Sequence, residues 1–291
     1  MPARMPVKPP VLPALLACAL SALPASAAHA QAAQPATASP PAATTSQAAA
    51  TTSQAPAPVP VLLLGEVHDN PDGHHARLAL LQSRVDAGWH PAIAMEQFDR
   101  ERQPDLDRAQ RECKDAACVV AMAAPARAGW NWDFYAPVID LALREHLPLY
   151  AANLSRADAG HIVEHGWDQP VPAGVLQPQV DEVRTGHCGM LPDGMLAPMA
   201  TAQVARDAAM ADVISAALAA HPGDGVVLLA GNGHVRRDIG VPVWLRARGL
   251  AYESVGFVEE VAETSHFDRA EVVPAFARED PCAKFKAPAK P

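Results

Sequence analysis

The sequence predicts an α/β fold with a largely parallel central sheet and helices on both faces. Three observations carry this reading. Short, almost wholly apolar runs recur along the chain, as in strands buried on both faces. They alternate with longer segments of helical spacing, the pattern of strand–helix–strand units. Each of the first four runs ends at a glycine, carboxylate or amide residue. Right-handed crossovers then bring the strand C-termini to one edge, where open α/β sheets bind ligands.

Val59 to Leu64 is the first strand, ending at Gly65. Pro71 and Asp72 open a helix to about Ala87, with Leu78, Leu81 and Val85 on one face, Asp69 and Asn70 as caps and Gly88 as its stop. For His74 and His75, early in this helix, one reading turns one of them toward the sheet edge; the preferred reading is that both are solvated surface residues. Pro91 to Met95 is the second strand and ends at Glu96. A charged helical stretch from Gln103 to Arg111 precedes the aromatic cluster Trp130, Trp132, Phe134 and Tyr135, which leads into a helix bearing Val138, Leu141 and Leu143. Leu147 to Ala152 is the third strand, and Ser155 caps a short helix through Ile162.

Residues Asp168 to Met199 carry five prolines and read mostly as loop. An Ala-rich helix runs from about Pro198 to Ala220, with Val204, Ala211, Ile214 and Leu218 at helical spacing. Gly225 to Ala230 is the fourth strand, Pro242 to Arg248 a short helix, and Leu250 to Val258 the fifth strand. Tyr150 and Tyr252 fall in strands and read as core.

Outside residues 61–282 the composition changes. Residues 1–30 read as a secretion signal: Arg4 and Lys8, an apolar run from Val11 to Leu23, then Ala28-His29-Ala30 as a cleavage site. The alternative is lipid attachment at Cys18 in Leu15-Leu16-Ala17-Cys18. Residues 31–60 are almost all Ala, Pro, Thr, Ser and Gln and read as a disordered linker, and 283–291 as a flexible tail. The net charge of -9 and the lack of any Lys/Arg cluster argue against a nucleic-acid partner. Apart from Cys18, four cysteines remain, an even count that favours disulfides in an exported protein. Cys113 with Cys118 and Cys188 with Cys282 is one of the three possible pairings.

The chemistry gathers at the strand ends. Glu66 and His68 lie after strand one, Glu96 ends strand two, Asn153 lies after strand three and His234 after strand four. Glu66, His68, Glu96 and His234 are a sufficient ligand set for Zn²⁺ or Mn²⁺, and equally for metal-free acid/base catalysis. The bland reading is caps and loop hydrogen bonds. Gly65, Gly231 and Gly233 allow a close approach of backbone to a ligand. No Gly-x-Ser-x-Gly elbow occurs, which speaks against a serine hydrolase. His187, in Gly186-His187-Cys188-Gly189, either lines the site or simply neighbours a disulfide. Tyr135 either packs or reaches a planar ligand.

Gly65-Glu66-Val67-His68-Asp69-Asn70, Ala94-Met95-Glu96-Gln97-Phe98-Asp99-Arg100 and Gly231-Asn232-Gly233-His234-Val235 together resemble the ChaN family. Trp130-x-Trp132-x-x-Tyr135-x-Pro137, Ala152-Asn153-Leu154, Gly186-His187-Cys188-Gly189, Gly240-Val241-Pro242 and Asp280-Pro281-Cys282 extend the resemblance from about Val61 to Cys282. The resemblance implies an exported haem-binding protein of the periplasm or outer membrane, linked to iron and haem uptake. It also implies haem held between the subunits of a homodimer, with outer-membrane uptake machinery as a further partner. The axial ligand would be Tyr135 or a strand-edge histidine, His187 would line the haem site, and Arg100, Arg236 or Arg237 would meet the propionates. Covalent attachment is excluded, since no Cys-x-x-Cys-His occurs. The wider superfamily, with Tiki, TraB and erythromycin-esterase-like proteins, implies the alternative: a metal-dependent hydrolase using Glu66, His68, Glu96 and His234. A binding protein fits this resemblance better than an enzyme.

Overall fold

A computed structural model describes residues 60–125, 129–280 and 282–283. The expected signal over 1–30, all of the linker but Pro60, and tail residues 284–291 lie outside the described residues.

Six strands form one sheet among the described residues: β1 (Val61–Leu64), β2 (Ala92–Asp99), β3 (Leu149–Asn153), β4 (Val226–Leu229), β5 (Tyr252–Val258) and β6 (Arg269–Val272). Their order is β3-β2-β4-β1-β5-β6, and every neighbouring pair is parallel. The helices are α1 (Pro71–Asp86), α2 (Gln103–Glu112), α3 (Ala116–Ala123), α4 (Ala136–Arg144), α5 (Arg156–His165), α6 (Leu176–Gly186), α7 (Asp193–Ala220), α8 (Asn232–Val235) and α9 (Val241–Ala247).

Both sheet faces are covered, and this is why the strands are apolar throughout. Leu62, Leu64, Ile93, Met95, Val227 and Leu229 point into one core, under α1 to α4. Their alternates Val61, Leu63, Ala92, Ala94, Val226 and Leu228 point into the other, under α7 and α9. Helices α5 and α6 pack on α7 and build satellite cores there.

Several expectations need correction. The stretch read as loop contains α6 and the first turns of α7. Pro178 lies in the first turn of α6, where its missing N–H forfeits no intrahelical hydrogen bond, and Pro198 costs α7 one hydrogen bond near its start. Strand β6, Arg-Ala-Glu-Val, alternates polar and apolar residues and carries no apolar run, because its side chains are largely exposed at the sheet edge. Helix α3 escapes the periodicity because its Ala-Ala-Cys-Val-Val run has no polar face. Tyr150 and Tyr252 are only partly buried, and each uses its hydroxyl, with His221 and Arg246 respectively.

The cysteines pair as Cys113–Cys118 and Cys188–Cys282, across 5 and 94 residues. The second ties the end of the domain to the α6–α7 turn. Replacing Cys188 and Cys282 by serine should lower stability by about 2–4 kcal/mol in urea unfolding, and replacing Cys113 and Cys118 should cost less, because the closed loop is far shorter. Equal losses would contradict this ordering.

Candidate functional site

The C-terminal ends of β1 to β4 lie side by side because these strands are all parallel. Glu66 stands just past β1 and is 2% exposed. Its Oε1 accepts from the Tyr135 hydroxyl at 2.6 Å and from His68 Nδ1 at 2.8 Å. Its Oε2 pairs with the guanidinium of Arg77, a buried residue of α1. Burial lowers the Arg77 pKa to about 10, which still leaves a cation at neutral pH. Arg77 Nη2 donates to His74 Nδ1 at 3.0 Å, so the His74 ring proton sits on Nε2 and is donated to the His68 carbonyl at 3.0 Å. His74 is thus neutral, and burial pushes its pKa down.

This corrects the preferred reading of both as solvated: His74 turns toward the strand ends, and His75 is exposed. His74, Arg77, Leu81 and Val85 are buried positions of α1 on one helical face.

His68 is placed differently. Its side chain is 50% exposed, and the Trp130 ring packs edge-on against it at 5.0 Å. Desolvation lowers its pKa against the pull of Glu96, so the ring is neutral at pH 7. With Nδ1–H donated to Glu66, Nε2 keeps its lone pair, and no described residue hydrogen-bonds it. A carboxylate behind one ring nitrogen is the arrangement that orients a histidine ligand through the other.

His234 has no such freedom. Its Nδ1 lies 2.6 Å from Asp207 Oδ1 and its Nε2 3.4 Å from Glu96 Oε1. Burial opposes its charge, but Glu96 and then Asp207 outweigh burial and raise its pKa. Glu96 also accepts the Gly231 N–H at 2.8 Å. Despite its burial, His234 beside it holds its carboxyl at about 2. Burial pushes the Asp207 carboxyl up. His234 is therefore a clamped imidazolium: it has no lone pair to offer and cannot take up a proton.

The expected single set of four ligands is thus two clusters meeting at Gly231. A Cβ there would come within 2.9 Å of His68 Cε1 and 3.8 Å of Glu96 Oε2. Among the described residues no three His, Cys, Asp or Glu side chains form a group that could hold a metal ion. In this arrangement Glu66, His68, Glu96 and His234 do not present one common ligand set for Zn²⁺ or Mn²⁺. Arg77, Tyr135 and His68 already occupy both oxygens of Glu66, and both nitrogens of His234 are engaged.

The remaining expected residues scatter. Tyr135 is fully buried behind Glu66, and burial pushes its pKa upward. His187 donates Nδ1–H to the Val183 carbonyl at 2.8 Å and lines a cavity of about 200 Å³ that His234 also borders. Arg100 lies 3.8 Å from Asp158. Arg236 is held by Glu182 and Asp238, and Arg237 by Asp268. None of these arginines lines the larger cavity, of about 380 Å³, that is walled by Trp130, the neighbour of His68. Sequence reasoning did not single out Asp207 and Arg77. Each is a charged residue on the apolar stripe of its helix, Asp207 between Val204 and Ala211 and Arg77 four residues before Leu81, and that was the available signal.

Arg77→Met should destabilise the protein by about 3–5 kcal/mol in urea unfolding, since it leaves the buried Glu66 carboxylate unpaired. A loss under about 1 kcal/mol would contradict the ion pair. His234 keeps its proton above its ordinary 6.5, so its contribution is complete below that pH and lost as pH rises toward its folded-state value. Stability should fall from pH 7 to about 9 by at most about 1.4 kcal/mol per pH unit, and Asp207→Asn should flatten that slope.

The sequence matches the family described as haem-binding uptake, Tiki superfamily, ChaN, over residues 53–245. No curated protein matches it. Among solved structures, ChaN of Campylobacter jejuni with cofacial haem is similar at a TM-score of 0.58 and 21% identity, covering 69% of this chain and 82% of that one. A mutant erythromycin esterase, EreC, in its open conformation is more distant, at a TM-score of 0.44 and 16% identity, covering 68% and 70%. The family match spans most of the chain and includes the Glu66, His68, Glu96 and His234 positions: the chain belongs to the ChaN haem-binding uptake family of the Tiki superfamily.

Proposed function

We propose that this protein binds haem at the sheet edge, with His68 Nε2 as the axial ligand. The observation that carries the reading is the free Nε2 of a half-exposed, neutral histidine whose other nitrogen is fixed by buried Glu66. The surroundings fit the group: the Trp130 indole stands beside His68, and the adjoining cavity is lined by arginines. Bound haem would supply an iron able to take an imidazole nitrogen. Glu66 fixes the His68 tautomer and strengthens it as a donor, and Arg77 and Tyr135 hold Glu66. Tyr135 serves from behind: its ring is buried and its proton is given to Glu66.

The same proposal places the protein outside the cytoplasm in haem and iron uptake. The signal-like residues 1–30 and the two disulfides support that placement. A homodimer closing over the ligand is part of the same proposal. The hydrolase alternative would have to use His68 as its base, because His234 is held between Asp207 and Glu96.

Hemin titration should give a saturable Soret shift that His68→Ala abolishes and Tyr135→Phe leaves in place. Binding should weaken only below the ordinary histidine value of 6.5, because the His68 pKa is lowered and protons compete for Nε2 only there. An unchanged shift in His68→Ala would overturn the ligand assignment. Sedimentation with and without hemin reads the dimer.

A further inference from the structure

The cavity of about 380 Å³ beside Trp130 is not explained by the two histidine clusters. Gln97, near the end of β2, lines it and is 4% exposed, yet neither its amide nitrogen nor its amide oxygen has a hydrogen-bond partner. The Tyr135 hydroxyl is near enough to feel the Gln97 amide, but no bond of good geometry joins them, and the Tyr135 proton goes to Glu66. The indole N–H of Trp132, in the same wall, is likewise buried and unpartnered. Buried polar groups are almost always bonded, and leaving one unmet costs about 1–3 kcal/mol. Two such groups on one cavity mark a place for a polar ligand atom.

The charges say which kind. Arg102, Arg156 and Arg206 line the cavity against the single carboxylate of Asp99. Arg206 donates to Asn153 Oδ1 at 2.5 Å, and Asn153 in turn donates to Asp99 at 2.7 Å, so Asp99 is already engaged. Arg102 is directed at the Met122 and Ala123 carbonyls and at Asp105. Arg156, at the start of α5, makes no hydrogen bond or ion pair with any described residue. A free guanidinium fork together with two fixed N–H donors matches a planar carboxylate, and the Trp130 and Trp132 indoles suit a flat apolar body behind it.

We propose that this cavity is a subsite for the carboxylate of a flat aromatic ligand, with Gln97, Trp132 and Arg156 as its donors. Two sources share that chemistry: a propionate of the porphyrin whose iron meets His68 across Trp130, or a free aromatic acid. In its porphyrin form the inference rests on the haem reading above; in its free-acid form it does not.

Hemin, hemin dimethyl ester and benzoate, titrated separately into the wild type, Gln97→Leu and Arg156→Ala, test the subsite. Soret absorbance reads the porphyrins and calorimetry the benzoate. If the cavity takes a propionate, the wild type binds the ester about tenfold or more weakly than hemin, and both variants lower hemin affinity toward that of the ester while leaving the ester unchanged. If it takes a free acid, benzoate saturates the wild type at one site and is lost in both variants, while hemin and ester bind alike. Equal binding of hemin and ester together with no benzoate binding overturns the subsite, as does a variant loss that affects hemin and ester equally. A wild type that gives no Soret shift with either porphyrin defeats the haem reading, and the benzoate titration then decides the cavity alone. Arg156 is exposed and unpartnered, so its variant keeps the test open if Gln97→Leu fails to fold, as circular dichroism would show.

Discussion

Glu66 carries a charge in a place with almost no water, and such a carboxylate persists only if its charge is met and its lone pairs are filled. Arg77 meets the charge from α1, the Tyr135 hydroxyl arrives from the turn before α4, and His68 fills the last position from the loop after β1. Two separate segments, together with the loop after β1, are therefore fixed to the end of one strand by one side chain. The geometry of His68 is a consequence, since its ring can turn only as far as the bond to Glu66 allows. The burial that makes Glu66 costly also makes it rigid.

The same physics gives the second histidine the opposite character. His68 bonds one carboxylate and remains half in solvent, so desolvation decides and the ring is neutral. His234 is held between two carboxylates, and the pair outweighs its burial and keeps it charged. Both residues occupy a Gly-x-x-His segment at the end of a parallel strand, Gly65 to His68 and Gly231 to His234. The same local motif thus supplies a free donor in one case and a structural cation in the other. The difference comes from Glu96, against which His234 Nε2 lies, and from Asp207, in the middle of α7, which His234 reaches and His68 does not.

That contrast marks the boundary of what the sequence makes legible. The strands β1 to β5, their parallel arrangement and the edge bearing Glu66, His68, Glu96 and His234 come from short-range pattern: apolar runs, glycines and the polar residues just beyond them. Helix α6 is hidden by prolines that sit harmlessly in or near first turns, and β6 by side chains that remain in water. The grouping of the four site residues into two pairs is hidden for another reason. It depends on partners 11, 27 and 69 residues away, namely Arg77, Asp207 and Tyr135. The apolar stripes that carry Arg77 and Asp207 flag them as buried, but not which strand end they meet.

Trp130 connects the two parts of the edge that carry ligand chemistry. Its indole packs on His68 and also lines the cavity that holds Gln97. A ligand that touched only His68 would leave the unmet amide of Gln97 and the Trp132 N–H where they are, and one that touched only the cavity would leave His68 Nε2 without a partner. On the proposed reading, a flat molecule with a metal at its centre and acids at its rim would meet both at once. Unmet polar groups joined by one aromatic wall therefore constrain the ligand more tightly than the histidines do alone, because each part excludes a class of molecules that the other would accept.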